Sequence, residues 1–132
     1  MNKVVHVSGS RKQARARATL KDGGKGMVRV NGQLLDFYSN SVARMRISEP
    51  LVLAGDIAKK IDVSVTVSGG GWSAQADAIR LAVAKSLAEY DKTLKKTFLD
   101  YDRLLLVADV RRNETSKPND SKPRAKRQKS YR

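Results

Sequence analysis

No cysteine occurs in this chain, and aromatic side chains make up only 5% of it. Without thiols there are no disulfides and no thiolate metal sites; the lack is neutral about compartment, and a reducing interior is the default. A run of about eighteen apolar residues is also missing, so no helical segment is expected to span a membrane. The opening Met1-Asn2-Lys3-Val4-Val5-His6-Val7 is too short an apolar run for a secretory signal. Histidine occurs once, as His6 within a strand-like run, where a structural role outweighs catalysis. The acids lack the spacing of an HExxH or EF-hand site, and Asp100 and Asp102 beside Arg103 read as a solvated turn. Enzyme chemistry, a metal and a cofactor are therefore all unexpected.

What the chain has is positive charge, unevenly placed. Residues 1–30 carry eight Lys or Arg against Asp22, giving +7, and residues 111–132 carry nine against Glu114 and Asp120, again +7. Residues 31–110 hold ten cations and ten anions, so the two ends account for the whole net charge of +14. A neutral body with two cationic ends implies two regions built to meet a polyanion. A length of 132 residues suits one domain with a modest core.

Lys3 to Val7 predicts a short strand that ends at Ser8-Gly9-Ser10, with Gly9 as a hinge. From Arg11 to Leu20, odd positions hold Arg11, Gln13, Arg15, Arg17 and Thr19, while even positions are small or apolar apart from Lys12. Period-2 alternation favours a strand with one basic face. A helix is the alternative, since alanine and arginine favour it, but winding would scatter the arginines. Lys21 to Gly26 reads as a turn between antiparallel strands, Met27 to Val30 as the returning strand, and Asn31-Gly32 as a tight turn.

Residues 38–54 suggest a short helical region broken at Pro50. Ile61, Val63, Val65 and Val67 alternate with polar residues, which is the pattern of a half-buried strand. After Gly69-Gly70-Gly71, a helix presents Trp72, Ala76, Ile79, Val83, Leu87 and Tyr90 as one stripe. A second helix is expected over about 91–99 with Leu94 and Phe98 inward, and a last strand over Leu104 to Val110. The class is α+β, a sheet with helices on one face, with residues 1–112 as globular domain and 113–132 as tail.

Six of the last twelve residues are cationic and none is acidic. Such a segment cannot bury itself; stretched, it reaches about 40 Å at roughly 3.3 Å per residue. It can thread a phosphate-lined channel, with Tyr131 stacking on a base and Arg132 gripping phosphate. A solubilising tail or a localisation signal is the plainer alternative. The triglycine lacks the Lys-Ser/Thr of a P-loop, so close strand-to-helix packing is the favoured reading over a phosphate cradle.

The run Gly69-Gly70-Gly71-Trp72-Ser73-Ala74-Gln75-Ala76-Asp77-Ala78-Ile79-Arg80-Leu81-Ala82-Val83-Ala84-Lys85-Ser86-Leu87 closely resembles the signature of the family of the ninth protein of the small ribosomal subunit. Three further segments agree: Gly9 to Ala16, Gly24-Lys25-Gly26 with Asn31-Gly32, and Gln128 to Arg132. The ending Ser130-Tyr131-Arg132 resembles the archaeal and eukaryotic branch, and the compact length suits an archaeal source. The resemblance implies a four-stranded mixed sheet with a left-handed crossover, a cytoplasmic location in the head of the small subunit, and neighbouring head proteins as partners. It also implies a basic tail reaching the anticodon stem-loop of peptidyl-site transfer RNA. Residue by residue, Lys129, Ser130, Tyr131 and Arg132 become candidate transfer-RNA contacts. Arg11, Lys12, Arg15 and Arg17, with Arg124, Lys126 and Arg127, become candidate ribosomal-RNA contacts. Asn119-Asp120 departs from the glycine- and lysine-rich linker of many relatives. Two rivals stand beside this: a free-standing basic RNA-binding or chaperone module, and a small phosphotransferase built on the triglycine loop.

Overall fold

The computed structural model describes residues 2–126, 128, 130 and 131. Strands β1 (Val4–Arg11) and β2 (Ala14–Asp22) form a hairpin across Lys12-Gln13, and β2 pairs antiparallel with β5 (Ile61–Ser68). On the far side of β5 lies β3 (Val28–Val30), parallel to it, followed by β4 (Gln33–Leu34). The sheet is mixed and five-stranded, in the order β1-β2-β5-β3-β4. The four strands implied by the family are therefore five, the extra one being the two-residue β4 made by the Asn31-Gly32 turn. That turn needs left-handed backbone at both positions, and φ is 51° and 84° there. Met27 to Val30 was expected to return against β2; instead β5 lies between them, because β3 donates and accepts on the β5 edge.

Helix α1 (Ser41–Ala54) runs straight through Pro50 rather than breaking there. Proline lacks an N–H and crowds the preceding turn, a penalty of about 3 kcal/mol. The ring is fully buried, and the Asn40 side chain caps the helix by accepting from the Ala43 amide at 2.9 Å, so packing and capping offset that loss. Its core side is Ala43, Ile47, Pro50 and Ala54; Val42, Met45 and Val52 face outward.

Helix α2 (Trp72–Tyr90) lies across the sheet. Of the expected stripe, Ala76, Ile79, Val83 and Leu87 are buried, but Trp72 is 48% exposed, so burial begins one turn into the helix. Ala78, Leu81, Ala82, Ala84 and Ser86 are buried as well. The reason is that α2 meets the sheet on one side and α1 and α3 (Leu94–Tyr101) on others, so it is buried nearly all round instead of along one face. Small residues let the layers approach: Ala14, Ala16 and Ala18 line β2 beneath it. Leu94 and Phe98 of α3 turn inward as the sequence predicts.

Leu104 to Val110 is not a strand. A 3-10 turn covers Arg103–Leu105, and no helix or strand follows among the described residues. Only Leu105 is fully buried in that run, so one anchor residue, not a sheet partner, accounts for its apolar character. Gly69 and Gly70 pack closely against the hairpin, as the favoured reading has it, while Gly71 faces open space. Gly69 has φ 78°, and a Cβ there would lie 2.5 Å from the Gln13 carbonyl oxygen. Gln75 donates from Nε2 to the Gly69 carbonyl at 3.1 Å and accepts from the Tyr38 hydroxyl at 3.2 Å, which locks the loop to the helix start.

Candidate nucleic-acid interface

The sheet has one covered face and one open face. Ala14, Ala16, Ala18 and Leu20 of β2 point toward the helices, so Arg15, Arg17, Thr19 and Lys21 point away, by the alternation of a pleated strand. The register sets their neighbours. Arg15 lies between Ser10 and Ser68, Arg17 between Ser8 and Thr66, and Thr19 between His6 and Ser64. Arg29 of β3 joins the Thr19 row beyond Ser64. The open face is thus a lattice of Arg15, Arg17, Lys21 and Arg29 interleaved with hydroxyls, and its strands offer no Phe, Tyr or Trp, the His6 imidazole being their one ring. His6 Nδ1 and Thr19 Oγ1 are 3.1 Å apart, so the single histidine has a local partner. Asp62 is the one acid in these rows; its Oδ1 accepts the Lys25 and Met27 amides, both at 2.9 Å. Those bonds, Met27 first, hold its pKa below the usual carboxylate range.

Four cationic side chains among hydroxyls, with a single imidazole already bonded to Thr19, suit the phosphates and 2′-hydroxyls of folded RNA better than a run of exposed bases. The phosphate term is sequence-blind and weakens with salt.

The structure does not bring all the predicted ribosomal-RNA residues together. Arg15 and Arg17 share the open face, and Lys12 stands exposed at the hairpin tip with φ 53°. Arg11 was expected on the same basic stripe, but the hairpin turn separates it: it ends β1, paired with Ala14, and points to the helix side. Its side chain is 14% exposed, 3.5 Å from Asp109 and 4.0 Å from Asp77, and donates to the Arg111 carbonyl at 3.3 Å. Gly9, expected as a hinge, sits mid-strand against α2, where a Cβ would lie 2.7 Å from the Ala78 carbonyl oxygen.

In the tail, Arg124 forms a two-pronged ion pair with Glu114. Turns close from Lys117 to Asp120 and from Lys122 to Ala125. Lys126 and Ser130 are exposed, as is Tyr131 at 87%. Arg127, Lys129 and Arg132 lie outside the described residues.

Residues that sequence reasoning missed are Lys21 and Arg29 on the open face and Lys85 with Arg112 beside it. Alternation within β2 and β3 places the first two; nothing local points to the others. Arg112 donates to the Lys12 carbonyl at 3.2 Å, and Asp109 is bonded by the Arg111 side chain and amide. The Arg111 guanidinium, then its amide, with Arg11 behind them, hold Asp109 far below the usual carboxylate range. An apolar hollow of about 570 Å³ lies along the outer side of α1, with Leu35, Met45, Val52 and Tyr101 on its walls and Asp36, Glu49 and Arg44 as its charged lining.

A family model described as "Ribosomal protein S9/S16" matches residues 9–132. Two relatives, both called "Small ribosomal subunit protein uS9", come from Methanococcus maripaludis strains C7 and C5. Each is 48% identical over 134 residues, covering 98% of this chain and 99% of the relative.

Proposed function

The chain belongs to the ribosomal protein S9/S16 family, and from that premise we propose that it is a structural constituent of the small ribosomal subunit head in the cytoplasm. It neutralises packed ribosomal RNA and carries out no reaction. The observation that supports this most is the open sheet face, where Arg15, Arg17, Lys21 and Arg29 stand among hydroxyls. That face fits RNA backbone at close quarters. Lys12 at the hairpin tip extends it, and Arg124, Lys126 and Arg127 add contacts along the tail once Arg124 exchanges Glu114 for phosphate. Arg11 belongs behind the surface, not on it.

The tail, residues 113–132, continues from a globular body of residues 1–112 and reaches peptidyl-site transfer RNA. Lys129, Ser130, Tyr131 and Arg132 contact the anticodon stem-loop there. The relatives' archaeal source agrees with the branch to which the Ser130-Tyr131-Arg132 ending points. The left-handed crossover implied by the family belongs to the connection from β3 through α1 to the parallel β5. A neighbouring head protein fits the hollow of α1, since Leu35, Met45, Val52 and Leu53 offer it apolar surface.

The test is the double substitution Arg15→Glu with Arg17→Glu, read as occupancy in gradient-purified small subunits. Occupancy should fall several-fold while the isolated protein keeps its circular dichroism. Full occupancy would reject the sheet face as the RNA surface. A free RNA chaperone, the rival reading, would leave the unaltered protein outside the subunit peak.

A further inference from the structure

Where α2 meets the β1 edge, a hollow of about 430 Å³ is walled by Arg15 and Arg17 of β2, Lys85 of α2 and Arg112 of the C-terminal segment, with Ser8 and Ser10 beside them. Among the described residues no carboxylate lines it. Among the described residues none of these four cations is in an ion pair within 4 Å. A smaller hollow of about 120 Å³ adjoins it, sharing Ser10, and each of its cations is ion-paired: Arg11 with Asp77 and Asp109, Arg111 with Asp109, and Arg80 with Glu49 and Asp102. Four like charges around one concavity repel one another and gain from an anion seated between them. Close by, similar side chains are already neutralised by protein carboxylates and have nothing to gain.

We propose that the larger hollow is a composite seat for an RNA backbone phosphate, and that Arg11 is the positioning residue that holds its C-terminal wall in place. Three separate parts of the chain supply the cations, so the seat exists only when all three are docked. The sheet and α2 are fixed by the core. The third part, residues 108–112, has no helix or strand of its own. It is held by Arg11 donating to the Arg111 carbonyl, by Arg11 facing Asp109, and by Arg112 donating to the Lys12 carbonyl. Arg11 does not line the seat, yet losing it releases the strap that carries Arg112. The hydroxyls of Ser8 and Ser10 stand where a ribose 2′-hydroxyl next to the phosphate finds partners. This seat rests on the reading of the protein as an RNA-packing component and names one contact within that interface.

The experiment is a titration of the full-length protein with inorganic phosphate at low salt, against chloride at matched ionic strength, followed by amide NMR. Shifts should cluster at Ser8–Ser10, Arg15, Arg17, Lys85 and Arg112 and saturate. Lys85→Ala and Arg112→Ala should each weaken binding roughly three- to tenfold, the range for one charge-assisted contact. Arg11→Gln should weaken it comparably and also raise the amide mobility of residues 108–112, which a mere surface charge change would not do. Shifts spread evenly over the basic surface would overturn the seat. Unchanged affinity and unchanged strap mobility in Arg11→Gln would overturn the positioning role. Subunit occupancy of the unaltered protein is read separately. Failure to associate with small subunits rejects the ribosomal reading, whereas a flat phosphate titration in a protein that does associate rejects only the seat.

Discussion

At Gly9 the residue that looks like a hinge is a point of contact between layers. Its missing side chain leaves room for the α2 backbone: an added Cβ would lie 2.7 Å from the Ala78 carbonyl oxygen and 2.8 Å from the Ala82 amide nitrogen. Both are main-chain atoms of a helix that is itself buried, so neither can swing aside. Gly9→Ala should therefore cost about 1–3 kcal/mol by overpacking, lowering Tm by about 3–5 °C per kcal/mol for a chain of this size. Thermal melts of the two proteins would decide it, and an unchanged Tm would mean that β1 and α2 are not so close. Arg11 carries the complementary lesson. Strict alternation in the sequence puts it with Arg15 and Arg17, but a two-residue turn at Lys12-Gln13 intervenes, and pairing with Ala14 rotates it to the covered side. Charge type was readable there; direction was not, because a pleat's periodicity restarts at a turn.

Among the elements, those whose pattern was local were legible and those decided by partners were not. Ile61 to Ser68 and the Asn31-Gly32 turn follow from alternation and backbone chirality alone. The placement of β5 between β2 and β3 depends on contacts far apart in sequence. The run Leu104 to Val110 had strand-like composition, but Leu105 alone found a core to enter. The candidate site divides similarly: Arg15 and Arg17 were visible by alternation, whereas Lys85 and Arg112 meet them only through tertiary packing. Packing between helices also rests on a polar knot. Arg80 of α2 donates from Nε to Glu49 of α1 at 2.7 Å and from Nη2 to Asp102 after α3 at 3.1 Å. Arg80→Met should cost about 1–3 kcal/mol, the scale of hydrogen bonds to charged groups, measurable by urea unfolding. The pKa of Asp102 is held down by the Leu104 amide and then, against the opposing effect of partial burial, by Arg80. Its contribution is fully present above the unfolded value of about 3.9 and is lost as pH falls through the lower folded value. Asp102→Asn should be less stable at neutral pH and lose less on acidification below about pH 4; parallel acid limbs would contradict this.

For the whole molecule, the function proposed above gives two jobs that both need positive charge to regions on either side of a neutral body. On that reading the sheet face, paired strand to strand and backed by the core, meets RNA whose shape is already set, so loss of its cations should show in assembly. The tail beyond Arg112 is exposed over nearly all its described length, so its end can reach a site closed to the body. The two jobs should then come apart under mutation. Arg132→Ala removes one cation from the tip and none from the sheet, so subunits should contain the variant at normal occupancy. Affinity for transfer RNA at the peptidyl site should nevertheless fall about three- to tenfold, with faster dissociation, as expected for one phosphate or base contact. The logarithm of that affinity should also fall less steeply with the logarithm of salt, by about 0.7 for each single-strand phosphate that the tip no longer neutralises. Filter binding over a salt series on purified mutant subunits measures both quantities together. A weaker affinity with an unchanged salt slope would point to a neutral contact at the tip, and an unchanged affinity and dissociation rate would detach the tail from transfer RNA altogether.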